Sequence, residues 1–210
     1  MMDWQWIMDN RATIGALLLD HLQLVGLALL FGTLLTLLFI LLTLRWPALS
    51  QPLLYLSGLL FTIPSLALFI LLMPLTGLSK TTSVIGLTLY SLLILLRNVL
   101  TGLSQLPPLV LEAARAQGYT RLFRFFDVEL PLVVPALLAG LRIASVTLVG
   151  LVTVTALIGQ GGLGQLLLTG FTLSFATPIV VSLVLTVVIS TVLDGLFVML
   201  GRIAAPWSRT

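Results

Sequence analysis

Of the ten basic and seven acidic residues in this 210-residue chain, the densest group lies between residues 105 and 131. There Glu112, Arg115, Arg121, Arg124, Asp127 and Glu129 are set among Leu, Phe, Ala and Gly. The order within that stretch predicts two short helices. Pro107 and Pro108 suit a helix entry, residues 109–117 are strong helix formers, and Gly118 stands where a left-handed C-terminal cap is wanted. Thr120 can cap the second helix, with Leu122, Phe123, Phe125 and Phe126 turned to apolar surroundings and Arg121 and Arg124 to water or phosphate headgroups. Glu112 is expected in the first turn of its helix, where the dipole favours an anion. Ala113 and Ala114 leave a low surface that another protein's groove can approach closely. The chemistry on offer is docking rather than bond-making.

No catalytic or metal-binding apparatus accompanies this stretch. The chain has no cysteine and a single histidine, His21, which excludes disulfides, thiolate metal sites, a cysteine nucleophile and a multi-histidine metal centre. The glycines at 159, 161, 162 and 164 lack the lysine of a phosphate loop and read as a turn with close backbone approach. Gly77-Leu78-Ser79-Lys80-Thr81 fails the same test, because Pro74 and Ser79 occupy the glycine positions. Three ionisable residues fall inside apolar runs: Arg97, Arg142 and Asp194. At 1.5 Å per residue each lies within roughly 15 Å of the inner face, and Asp194 is expected to pair with Arg142 or Arg97 to hold helices together.

The elements that must position these residues are set by composition. With 59% hydrophobic residues, 8% charged ones and a mean hydropathy of +1.21, the polar shell of a water-soluble domain is missing. The charges are also too few to form a nucleic-acid surface. Charge-free intervals predict five membrane-spanning helices at about 22–44, 53–73, 83–103, 132–158 and 178–200, because a bilayer core of ~30 Å takes about 20 helical residues. Helices are preferred to a barrel because the runs are Leu-rich and lack two-residue alternation. The Gly, Ser and Thr residues inside them suit close helix packing. The expected fold is an all-α polytopic membrane protein spanning 22–203, with an interfacial segment 1–21 anchored by Trp4 and Trp6 and a tail 204–210. Arg45, Arg115, Arg121, Arg124, Arg202 and Arg209 gather on one side against Arg11 and Lys80 on the other. The N-terminus is therefore predicted outside and the C-terminus and the loop 105–131 inside. Pro64 frees a backbone carbonyl in span two and should kink it, with Thr62 or Ser65 satisfying that carbonyl and Phe61 beside them.

The loop resembles the signature of the membrane subunits of bacterial ABC importers. That signature is Glu-Ala-Ala, three residues, Gly, nine residues, then an aliphatic, any residue and Leu-Pro. Glu112, Ala113, Ala114, Gly118, Val128, Leu130 and Pro131 fit the spacing, with valine where isoleucine is commoner. The resemblance implies coupling helices seated in a cleft of a cytoplasmic ATPase, with Arg115 and Tyr119 in the same contact. Thr62-Ile63-Pro64-Ser65-Leu66-Ala67, Leu96-Arg97-Asn98 and residues 156–164 are similar to the osmoprotectant permeases, which move glycine betaine, choline, carnitine or proline betaine. Phe61 replaces the glutamine common before Thr-Ile-Pro-Ser, and methionine importers share the coupling loop, so a methionine or amino-acid permease is the alternative. Phe61, Thr62, Pro64 and Ser65 are the expected gate or pathway residues.

The resemblance further implies an inner-membrane transport subunit that is not itself an enzyme and binds no cofactor, with ATP and Mg used by two copies of a partner ATPase. A second permease subunit, identical or homologous, and an extracytoplasmic binding protein complete the expected partners, besides membrane lipid. The binding protein is expected to carry strong recognition, because aromatics within the spans are few. A secondary carrier is a weaker reading, since five spans show no convincing duplication.

Overall fold

A computed structural model describes residues 2–209. Among these residues ten α-helices follow one another: α1 (Trp4–Asp9), α2 (Arg11–Arg45), α3 (Ser50–Thr62), α4 (Ser65–Thr76), α5 (Lys80–Ser104), α6 (Pro108–Ala116), α7 (Arg121–Arg124), α8 (Leu130–Thr155), α9 (Gly164–Thr172) and α10 (Ala176–Ala204). No strand occurs among the described residues. Four helical stretches are long and apolar enough to cross a membrane: α2, α5, the run Arg121–Ile158 and α10. The bent pair α3–α4 makes a fifth if it is one span.

The boundaries differ from the sequence reading in three places, each for a physical reason. First, α2 begins at Arg11 rather than near residue 22, because nothing stops the helix: Asp20 is held by Lys80 at 2.6 Å, and His21 is fully buried. At 35 residues it is about 50 Å long and overshoots the hydrocarbon core. Second, α1 is capped by the Asp3 carboxylate, which accepts from the Trp6 N–H at 3.0 Å, and it folds back on the protein instead of lying free. The Asp3 N–H donates to Thr177 Oγ1 at 2.9 Å and Trp6 meets Phe175 edge-on, so of the two tryptophans only Trp4 is exposed.

Third, the kink expected at Pro64 is a full break. The helices α3 and α4 meet at 102°. Proline disfavours helical geometry in the residue before it, and Ile63 is accordingly extended (φ −66°, ψ 128°). With 13 and 12 residues, neither half alone crosses ~30 Å of hydrocarbon.

The core is organised around α5, which packs against both α2 and α8. Its apolar residues Leu87, Leu95 and Leu96 are fully buried. Close approach depends on small residues: a Cβ at Gly140 of α8 would stand 3.0 Å from Asn98 of α5, and one at Gly32 of α2 would collide with Ser91. In contrast, α10 rests on α8 and α9 and buries only Thr177, Pro178, Ser182 and Ile189.

The glycine run after α8 folds as a turn held from two sides. Gly159, Gly161 and Gly162 all have positive φ. Leu163, at 0% exposure, donates its N–H to His21 Nδ1 of α2 at 3.4 Å and accepts from Ser182 Oγ of α10 at 2.7 Å. A Cβ on Gly162 would come within 2.6 to 2.9 Å of His21, two of the three nearest atoms being helix backbone, at φ +55°. Gly162→Ala should therefore cost about 3 kcal/mol from overpacking and left-handed strain together. Gly26→Ala, with nothing within 4 Å, should be neutral or slightly stabilising. Melting temperatures of the two purified variants should separate accordingly.

Candidate functional site

The loop between α5 and α8 is an ordered unit. Pro108 opens α6 at its first position, where its missing N–H costs nothing. At the other end the Gly118 N–H donates to Arg115 O at 2.9 Å and the Tyr119 N–H to Ala114 O at 3.2 Å. With Gly118 at φ +82° this is a Schellman motif, which satisfies the last carbonyls and turns the chain sharply. Thr120 then caps α7, accepting from the Phe123 N–H at 3.3 Å. Glu112 falls in the second turn of α6 rather than the first, because the helix begins at Pro108, so the dipole argument does not apply to it. Glu112 and Ala113 are exposed, Ala114 is buried, and Arg115 is exposed.

The second helix does not stop before span four. It passes through a π-helical turn, Phe125–Glu129, directly into α8. Pro131 explains the widening: it has no N–H for the carbonyl four residues back, and its ring would press on that carbonyl. In a regular helix residues five apart lie about 140° apart. Here Arg124 Nε reaches Glu129 Oε1 at 2.5 Å, both side chains largely buried. Arg124 thus turns inward, Phe125 is buried, and Leu122, Phe123 and Phe126 remain exposed, which corrects the amphipathic pattern expected from the sequence. Leu130 and Pro131 begin α8 on this rigid base. The Tyr119 hydroxyl donates to Asp127 Oδ2 at 3.0 Å, and that bond, reinforced by the carboxylate's charge, raises the phenol above its ordinary pKa.

At the broken span, the Tyr90 hydroxyl of α5 donates to the Ile63 carbonyl. The expected partners are otherwise engaged: Thr62 Oγ1 donates to Leu59 O at 2.7 Å, and Ser65 is half-buried at the start of α4. Phe61 packs edge-on against Tyr90 with ring centroids 5.4 Å apart. Pro64 is exposed between the two half-helices. Sequence reasoning missed Tyr90, although a tyrosine in an apolar helix needs a partner for its hydroxyl. It also missed His21, whose partner lies 142 residues away.

Of the three ionisable residues inside the spans, two meet. Arg142 Nε and Nη2 donate to Asp194 Oδ1 and Oδ2 at 2.8 and 3.0 Å, a bidentate bond between α8 and α10. Their side chains are 44% and 39% exposed in this single chain. Arg97 is exposed and makes no ion pair among the described residues. No group of three metal-ligating side chains occurs among those residues either.

The family described as binding-protein-dependent transport system inner membrane component matches residues 28–203, from within α2 to the end of α10. The chain belongs to this family. It is 36% identical to the osmoprotectant import permease protein OsmW of Salmonella typhimurium, across 96% of each chain. It is also 36% identical to the choline transport system permease protein OpuBD of Bacillus subtilis, over 69% of this chain and 65% of that one. Among solved structures, an inward-facing form of the MetNI methionine ABC transporter superposes with a TM-score of 0.79 over 91% of this chain and 96% of that one, at 24% identity. That likeness establishes the fold. As an inner membrane component of this family, the chain is a transport component of the inner membrane, and both the loop and the broken span lie inside the matched region.

Because a Cβ at Gly118 meets nothing within 4 Å, the cost of replacing it is conformational alone. Gly118→Ala should cost about 1–2 kcal/mol, raising the open fraction of the loop about 5- to 30-fold. Gly118→Asn should lose less, since asparagine tolerates left-handed geometry. Tryptic cleavage after Arg115 and Arg121 should accelerate in the same order.

Proposed function

We propose that this chain is the membrane-spanning permease subunit of an ABC importer for a small osmoprotectant of the glycine betaine, choline or carnitine class. The observation that carries the reading is 36% identity to an osmoprotectant import permease across nearly the whole of both chains. The methionine alternative has less support, because the methionine transporter's likeness is one of fold at 24% identity.

In this reading the loop 105–131 faces the cytoplasm, and Glu112, Ala113, Ala114, Arg115, Gly118 and Tyr119 meet a partner ATPase that uses ATP and Mg. This chain binds no cofactor. The Schellman turn and the buried Arg124–Glu129 pair make the loop stiff. The unbroken run from Arg121 to Ile158 would carry a displacement of α6 into the membrane without an intervening flexible joint. Phe61, Thr62, Pro64 and Ser65 line or gate the path. The Phe61–Tyr90 pair beside the break offers ring faces of the kind that attract a quaternary ammonium by cation–π interaction.

A second permease subunit completes the passage, each receiving one ATPase, while a binding protein delivers cargo from outside. Support comes from α10 and the Arg142–Asp194 pair, whose exposure to hydrocarbon would be costly. Uptake into proteoliposomes holding the complete complex tests the cargo: labelled betaine, choline or carnitine should accumulate with ATP, and methionine should not. ATP-independent uptake driven by an ion gradient, or methionine alone accumulating, would refute it. For the loop, Glu112→Lys should reduce ATPase co-purification or transport-linked hydrolysis at least tenfold; unchanged assembly and hydrolysis would remove Glu112 from the contact.

A further inference from the structure

A polar cavity carries a charged lining of one sign. It is a cleft of about 520 Å³ between the end of α2 and the loop, walled by Thr43, Leu44 and Pro47 on one side and Arg115, Tyr119, Arg121 and Arg124 on the other. No acidic side chain lines it. The nearby acids are committed elsewhere: Glu129 to Arg124 Nε, Asp127 to the Tyr119 hydroxyl. Arg124 therefore still has its two terminal nitrogens without an ion partner, and Arg121 has only a 3.4 Å bond from Nη1 to Leu44 O. Arg115 makes no ion pair among the described residues.

We propose that this cleft binds the phosphate of an anionic membrane-lipid headgroup. Guanidinium groups match phosphate oxygens in pairs, and three of them facing one cavity are a poor neighbour for anything but an anion. The level of the cleft selects the lipid. Its inner wall is the last turn of a membrane-spanning helix, where α2 ends at Arg45-Trp46-Pro47 and Trp46 is exposed in the manner of an interfacial residue. Basic pockets between helices at that level take acidic headgroups. The exposed face of α6 at Glu112 and Ala113 does not line the cleft and stays open to a protein, whereas Arg115 and Tyr119 line it and would be shared between the headgroup and the proposed ATPase contact. The site ties the base of the loop to the bilayer surface.

The test is retention of lipid by the complete, delipidated complex, read by native mass spectrometry with dioleoylphosphatidylglycerol or dioleoylphosphatidylcholine. The anionic phosphatidylglycerol should be retained in preference to the zwitterionic phosphatidylcholine. Arg121→Gln should weaken that retention about fivefold, the effect of one basic residue near a headgroup. Arg115→Gln gives a second reading of the same loss, taken on the complex that keeps its ATPase in the same spectrum, and Lys80→Gln, in a different part of the protein, should leave retention unchanged. Equal retention of the two lipids, or no effect of either arginine substitution, would overturn the proposal. So would displacement of the lipid by millimolar inorganic phosphate, which assigns the cleft to a free anion. Retention seen only after the ATPase is stripped away would assign it to an ATPase side chain and equally overturn it.

Discussion

Hydrocarbon offers no hydrogen bonds, so wherever a helix is interrupted within a membrane protein the chain must supply the missing partner itself. This constraint governs both interruptions between membrane helices here. At the break the Leu60 carbonyl, which Pro64 cannot serve, accepts from the Ile63 N–H at 3.3 Å, and the Ile63 carbonyl is taken by a tyrosine from the central helix α5. At the glycine turn, the Leu163 N–H is taken by a side chain from α2, and its carbonyl, which also accepts from the N–H groups of Leu166 and Leu167, takes a hydroxyl from α10. In each case the partner comes from a helix distant in sequence, so the interruption also fastens neighbouring helices together. Irregular backbone in this fold acts as a joint between elements.

The loop outside the spans follows a different economy. Water is available there, so its order is not obligatory, and yet its carbonyls are capped, its helix entries are pre-set by proline and threonine, and an ion pair is buried at its exit. A buried pair is weak evidence for stability, since desolvation offsets much of its attraction. What it does provide is a single register between α7 and α8, because Arg124 and Glu129 superpose only when the turn between them is widened. The π-helical turn, Pro131 and the ion pair are three aspects of one local solution. Its mechanical consequence is a continuous lever in place of a hinge.

Much of this was legible in the sequence because it is written in local signals. Gly118 stands where a left-handed residue is needed, Pro108 where a helix starts, and Thr120 where one needs a cap; these depend on neighbours within a few positions. The charge-free runs likewise mark α5, α8 and α10 to within a few residues. What the sequence withheld is non-local or energetic in origin. Nothing near His21 announces that it accepts a bond from Leu163, and nothing near Asp20 shows that Lys80 will neutralise it and let α2 run on. The depth of the bend at Pro64 was also hidden, since a proline alone permits anything from a slight kink to a right angle. The outcome depends on whether a partner such as Tyr90 is at hand to stabilise the open form.

The Arg142–Asp194 pair is the place where the proposed second permease subunit would matter most. Two-point hydrogen bonding satisfies the pair internally, but roughly two-fifths of each side chain faces outward from a region that the sequence assigns to the membrane. Snorkelling can relieve a single arginine near an interface, whereas an arginine tied to a carboxylate on another helix has given up that freedom. The same side of the molecule carries α10, whose outward residues Leu183, Val187 and Val188 are apolar and open while Thr177 and Ser182 are buried. A surface that combines a fixed charge pair with bare aliphatic side chains suits neither water nor lipid alone. It suits a boundary between another protein helix and a water-filled path, which is what the proposed pairing of two permease subunits would create.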